Sequence, residues 1–302
     1  MRVFVTGATG FIGTQVTKDL LQAGHQVLGM ARSDEGAKAV LAAGAQVHRG
    51  DLKDLDSLRS GASQSDGVIH LGFIHDFSNF VENCEIDRRA IETIGTELGG
   101  SNRPFVVTSG TGVGATSGAL RTEDDIPTPQ TTGIPRIASE QAAIKLMDRG
   151  VRVSVVRLPQ VHDTRKFGLI SYMMAVARDK GFAAYVGEGK NRWAACHLLD
   201  AAKLYKLAFE KAAPRAFYHS VGEEGVSLRE MAEAIGRRMK LPVKSVTAEE
   251  APAYFGWIAM FAGLDMPASS AKTQQWLNWH PTHRGIIPDL NEAEVTEAVA
   301  RA

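Results

Sequence analysis

Cysteine is scarce in this 302-residue chain: only Cys84 and Cys196 occur, far apart and outside any CxxC pair. That excludes a disulfide-stapled scaffold and a cysteine zinc cluster, and it suits free thiols in a reducing compartment. An excess of one charge is also missing, since 34 basic and 34 acidic residues give a formal net charge of zero. No whole-molecule field draws the chain to nucleic acid or to a membrane surface, so the expected partner is a small molecule. Apolar stretches such as Trp257 to Leu264 fall far short of the roughly 20 residues a membrane helix needs. The N-terminal Met1-Arg2-Val3-Phe4-Val5-Thr6 carries no signal core and reads as a first strand. A cytoplasmic location is expected. His280 and His283 have no Cys, Asp or Glu at ligand spacing, so no metal site is expected.

What is present is an ordinary globular composition, 44% hydrophobic with 30 glycines. Short β-branched runs alternate with amphipathic stretches through the first half, the pattern of a parallel sheet with helices on both faces. Six strands are expected: Arg2 to Thr6, Gln26 to Met30, Ala45 to His48, Gly67 to His70, Pro104 to Thr108 and Val151 to Arg157. Helices are expected over Phe11 to Ala23, Asp54 to Gly61, Phe77 to Leu98 and Arg136 to Arg149, the first and last stopped by Gly24 and Gly150. After Pro159 the rhythm changes, with helices over Gly168 to Lys180 and Leu198 to Lys211 and a capping box at Ser227-Leu228-Arg229-Glu230. The expected fold is therefore α/β. Residues 1–158 form a doubly wound, Rossmann-type parallel sheet, and 159–302 mainly a smaller substrate lobe from which the chain can re-enter the sheet.

Thr6-Gly7-Ala8-Thr9-Gly10-Phe11-Ile12-Gly13 lies directly between the first strand and the first helix. Glycines there let the backbone turn sharply and approach a pyrophosphate, while the helix N-terminus presents unpaired amides. Gly7, Thr9, Gly10, Phe11 and Ile12 are the expected cradle of a dinucleotide. The TGxxGxxG spacing resembles the short-chain dehydrogenase/reductase superfamily in its extended, epimerase-like branch. Gly50-Asp51-Leu52, His70-Leu71-Gly72, Thr108-Ser109-Gly110 and Arg157-Leu158-Pro159 extend the likeness over most of the chain. The resemblance implies Asp51 and Leu52 at the adenine. It places Leu71, Gly72 and Phe73 along the ribose and phosphate path, and Pro159, Val161 and His162 at the nicotinamide amide. It further implies a homodimer built on the helices over Phe77 to Leu98 and Arg136 to Arg149, with Ile86, Ile91, Ile94 and Leu98 as apolar residues available to it.

The end of strand two lacks the acidic residue that would hold the ribose hydroxyls of NAD. Arg32 and Ser33 stand there instead, which favours the 2′-phosphate of NADP over NAD, although Asp34 could still turn toward a ribose. Also missing is the tyrosine–lysine pair usual in reductases of this superfamily. Tyr172, Tyr185, Tyr205, Tyr218 and Tyr254 are the only tyrosines, and none lies on the helix after Pro135. Alignment on Ser139-Glu140-Gln141-Ala142 puts Arg136 in the lysine position and Thr132 in the tyrosine position, a pattern similar to an atypical subgroup in which basic residues replace the pair. Arg136 can hold the cofactor ribose or stabilise an oxyanion but is a poor proton donor. Either Ser109 or Thr111 can hydrogen-bond the substrate oxygen, and His162 is the titratable group best suited to deliver a proton near neutral pH.

Trp193, His197, Trp257 and Phe261 are candidate substrate contacts, although core packing accounts equally well for such residues. The expected activity is NADPH-dependent reduction of a carbonyl substrate, or the reverse oxidation. Two alternatives stand beside it: a nucleotide-sugar epimerase or dehydratase, and an NADP redox sensor without turnover.

Overall fold

The computed structural model describes residues 1–114, 118–128 and 133–294. Strands β1 (Arg2–Thr6), β2 (Gln26–Ala31), β3 (Gln46–Arg49), β4 (Gly67–His70), β5 (Phe105–Gly110) and β6 (Val153–Leu158) alternate with helices. These are α1 (Phe11–Gln22), α2 (Asp34–Ala42), α3 (Leu55–Ser63), α4 (Phe80–Leu98) and α5 (Ile137–Asp148). Beyond them come β7 (Gln160–His162), α6 (Leu169–Lys180), β8 (Ala183–Val186), β9 (Arg192–His197), α7 (Leu198–Lys211) and β10 (Ala216–His219). Then follow β11 (Glu223–Ser227), α8 (Leu228–Met239), β12 (Val243–Val246), α9 (Ala251–Phe255), α10 (Ala259–Ala262), α11 (Ala271–Leu277) and α12 (Ile286–Asn291).

The central sheet has seven parallel strands in the order β10-β6-β5-β4-β1-β2-β3. Its order reverses beside β1, which puts a binding crevice at the carboxyl ends of β1 and β4. The strands are Val-rich because both faces are covered. On one face Val3, Val5, Val16 and Leu20 pack with Leu204, Tyr205 and Phe209 of α7. On the other, Phe4, Leu58, Ile91, Ile94, Leu146 and Met147 join α3, α4 and α5. A separate core around Phe167, Met174, Trp193, Met231 and Phe255 builds the C-terminal lobe. Among the described residues no helix is long and apolar enough to cross a membrane.

The structure adds to or alters the sequence reading at four points. The connection after strand two contains α2, whose amphipathic Ala37 and Val40 are buried and whose N-terminus is capped by the Ser33 side chain at 3.1 Å from the Gly36 N–H. The helix expected from Phe77 opens as a 3-10 turn over Phe77–Asn79 before α4 begins. A seventh strand, β10, returns from the C-terminal half and pairs with β6. Ile86, Ile91, Ile94 and Leu98 are buried against α3 and α5 within one chain, so they are not available to a dimer contact. The outer side of α4 instead carries the Arg88–Glu85, Arg88–Glu92 and Arg89–Glu82 pairs.

Candidate active site

Gly7 follows β1 with φ +69°, a conformation that side chains resist, and a Cβ there would lie 2.8 Å from the Gly72 nitrogen. The loop is thus pressed against the end of β4. A Cβ on Gly13 would overlap the Gly7 carbonyl, so α1 can begin only this close to the loop because Gly13 lacks one. Gly10 is the N-cap, with no side chain satisfying the first-turn amides. Those free N–H groups and the helix dipole make an anion cradle, and this donor set fits a dinucleotide pyrophosphate.

The cradle opens on a cavity of about 750 Å³. Gly7, Thr9, Gly10, Phe11, Ile12, Leu71, Gly72, Phe73, Pro159 and Val161 all line it. At one end stand Met30, Arg32, Ser33, Gly50, Asp51 and Leu52. The Arg32 side chain is 77% exposed and lies 3.7 Å from Asp51, while Asp34 is paired with Arg49 and does not line the cavity.

At the other end, the Arg136 guanidinium lies 4.2 Å above the Phe73 ring and bonds Asp87, Ser139 and the Thr108 carbonyl. Asp87 also accepts from Ser139 Oγ at 2.6 Å and from His70 Nε2 at 2.9 Å. Burial alone would raise its carboxyl, but Arg136, then His70 and Ser139, outweigh that and hold it at about 2. Because Asp87 only accepts, His70 donates to it through Nε2–H; Nδ1 lies 2.8 Å from Thr6 Oγ1, which accepts from the Gly72 N–H at 3.0 Å. One buried chain of bonds therefore links Arg136 to the glycine loop.

The two candidate hydroxyls differ. Ser109 Oγ donates to the fully buried Glu140 Oε1 at 2.6 Å. Glu140 is an acceptor on both oxygens because Arg157 grips it at 2.9 and 2.8 Å and a guanidinium can only donate. Ser109 thus has no proton left for a substrate oxygen. Thr111 Oγ1, 3.4 Å from the Leu158 carbonyl, is held only loosely and lines the same cavity. Buried Arg121, which sequence reasoning passed over, fixes this strand end by donating to the Thr111 and Gly110 carbonyls at 2.6 and 3.1 Å.

Thr132 lies outside the described residues. The expectation that His162 delivers the proton does not fit its placement. Its imidazole is fully buried, bonds Asp289 through Nδ1 at 2.8 Å, and does not line the cavity. Burial outweighs that carboxylate and pushes it down to about 4, so at neutral pH the imidazolium that would act as the acid is not formed. Of the proposed substrate contacts, Trp193 and Phe261 line the cavity and His197 and Trp257 do not. His197 instead caps α7 and stacks on His283, and Trp257 lies behind the wall, stacked on Phe77 at 3.9 Å. Among the described residues no cluster of His, Cys, Asp and Glu could hold a metal ion.

Several wall residues were missed: His75, Phe77, Phe80, Lys166 and Tyr172. His75 and Phe77 sit in Phe73-Ile74-His75-Asp76-Phe77, just past a strand's carboxyl end, with Phe80 opening the helix that follows, and an aromatic run there is a legible signal. His75 lines an open cavity, so its surface reaches solvent while protein surrounds it. That enclosure, then Arg136 and Lys166, push its imidazole down to about 4. Burial raises the Tyr172 hydroxyl above its ordinary value, so it stays protonated.

The model of the NAD dependent epimerase/dehydratase family matches residues 3–219. An uncharacterized protein of Schizosaccharomyces pombe is 46% identical over 292 residues, covering 96% of this chain and 98% of that one. The 2-alkyl-3-oxoalkanoate reductase of Stenotrophomonas maltophilia is 27% identical over 247 residues, covering 74% and 71%. The fold superposes on the UDP-glucose 4-epimerase of Thermus thermophilus, solved with NAD, with a TM-score of 0.73, 18% identity and 97% of both chains covered. Glycine cradle, sheet order and sequence likeness agree: the chain belongs to the NAD dependent epimerase/dehydratase family.

Proposed function

We propose that the protein is an NADPH-dependent reductase of apolar ketones. The observation that carries this reading is the wall beside the glycine cradle, where Phe73, Phe77, Phe80, Tyr172, Trp193 and Phe261 line one cavity. A nucleotide sugar would need polar partners for its hydroxyls and a second diphosphate site. An aromatic wall suits an apolar carbonyl compound instead. The likeness to a reductase of 2-alkyl-3-oxoalkanoates supports the same chemistry.

When bound, reduced nicotinamide supplies a hydride to the carbonyl carbon. The chain's own groups do the rest. The amides of Phe11, Ile12 and Gly13 and the exposed Arg32 hold phosphates, Arg32 taking the 2′-phosphate. Arg136, paired with Asp87, stabilises negative charge that develops on the substrate oxygen. Thr111 orients that oxygen, and the aromatic wall keeps water out. The protonated Tyr172 hydroxyl is the cavity's own source of the proton that completes the alcohol.

Steady-state oxidation of NADPH with a panel of aryl ketones and keto esters tests the reading, with UDP-glucose as the competing substrate. Ketone-dependent oxidation is expected. Interconversion of the sugar nucleotide, or tight NADPH binding with no turnover of any ketone, would refute it.

A further inference from the structure

Among the described residues, the charges facing the cavity are compensated by neighbours, except one. Arg32 lies near Asp51, and Arg136 is paired with Asp87. Lys166, in the loop between β7 and α6, lines the same cavity, and no carboxylate among the described residues lies within ion-pair reach of its ammonium. The nearest candidate in sequence, Asp163, is already engaged by Arg165 at 2.7 and 3.0 Å. That same Asp163 pins the lysine backbone, exchanging bonds of 3.0 Å with the Lys166 N–H and carbonyl. The cation is therefore presented from a fixed loop rather than carried on a loose one.

Its surroundings are apolar. Leu169 and Tyr172 follow on α6 and line the cavity with it, and Tyr172 meets the edges of Phe77 and Trp257 at 5.9 and 5.0 Å. The field of the ammonium reaches the His75 ring. Beside such walls the effective dielectric is low, so an unpaired cation attracts an anion more strongly than it would in water. The cofactor's phosphates already have the α1 amides and Arg32 at the other end of the cavity. The anion for Lys166 then comes with the substrate.

We propose that the substrate is an apolar carbonyl compound bearing a carboxylate, whose anion pairs with Lys166 while its body lies against Phe77 and Tyr172. This rests on the reductase reading above. The test uses 3-benzoylpropionate, 4-benzoylbutyrate and 5-benzoylvalerate, each with its methyl ester. They are offered to the wild type, Lys166→Met and Lys166→Arg. Two quantities are read: dissociation constants by calorimetric titration of the NADP⁺-loaded protein, and kcat/KM from NADPH oxidation.

At least one acid should bind the wild type about tenfold or more tightly than its ester, the scale of one charge-assisted contact. Lys166→Met should bring that ratio to about one, and Lys166→Arg should restore most of it. Equal affinities for acids and esters, or no acid bound at all, overturn the proposal. So does a Lys166→Met variant that loses NADPH affinity but keeps its acid preference, since the ammonium would then serve a cofactor phosphate. Acids that bind through Lys166 without oxidising NADPH would leave this inference standing and remove the reductase reading.

Discussion

Asp87→Asn isolates the charge at the centre of the buried chain. The substitution keeps the shape of the side chain but removes the negative charge that meets Arg136, Ser139 and His70. In the folded protein the Asp87 carboxyl sits at about 2 against an ordinary 3.8. Ionisation therefore favours the fold by about 2 kcal/mol at neutral pH, at ~1.4 kcal/mol per unit. Breaking a buried pair by removing one partner costs about 3–5 kcal/mol. The Arg136 side chain is 13% exposed and can recover some hydration, which places the loss near the lower end. The expected destabilisation is about 2–3 kcal/mol, read from the shift in urea midpoint at constant slope.

The pH dependence has a definite sign. A depressed carboxyl contributes stability that is complete above its unfolded pKa and lost as pH falls toward its folded one. The gap between wild type and variant should stay constant from neutral pH to just above 4, then close between 4 and about 2. A variant as stable as the wild type at pH 7, or a gap that widens on acidification, would refute the assignment of Asp87 as the stabilising charge.

Arg136→Ala should lower turnover by about 100-fold or more, as expected for losing one donor to a developing oxyanion, with substrate KM moving less; a raised NADPH dissociation constant with normal saturated turnover would instead make it a ribose ligand. Arg32→Asp should weaken NADPH binding by about tenfold or more and NADH binding little, the modest size reflecting an exposed side chain; equal loss for both cofactors would remove Arg32 from cofactor choice. Thr111→Val should reduce turnover more than Ser109→Ala, which should instead cost about 1–2 kcal/mol of stability through the lost bond to Glu140; the reverse order would show that Ser109 reaches the substrate.

The glycine cradle was legible in local sequence, because a strand, a glycine turn and a helix N-terminus are all set within residues 2–22. The six expected strands lie within two residues of the observed ones at every end for the same reason: each is a short run with at least one β-branched residue, set by its own residues. The chemistry at the far end depends on pairs distant in sequence. Whether Ser109 can donate is decided by Glu140, 31 residues on, and the fate of His162 by Asp289, 127 residues on. No local pattern announces either partner. Lys166 and Tyr172 were illegible because nothing in the loop before α6 or in its first turn marks which side chains meet the strand ends of another lobe.

Strand β10 has a consequence for how the chain is made. Its register runs Ala216 against Ser154 through His219 against Arg157, so the edge of the cofactor sheet is finished by residues from the second half. Helix α7, just before it, covers the apolar side of α1 with Leu204, Tyr205 and Phe209. During synthesis the first 158 residues therefore emerge with β6 unpaired along one edge and an apolar helix face bare, the condition under which strands recruit neighbours and aggregate. A fragment cut at residue 158 should inherit that liability permanently, whereas one carried through His219 holds every strand of the sheet.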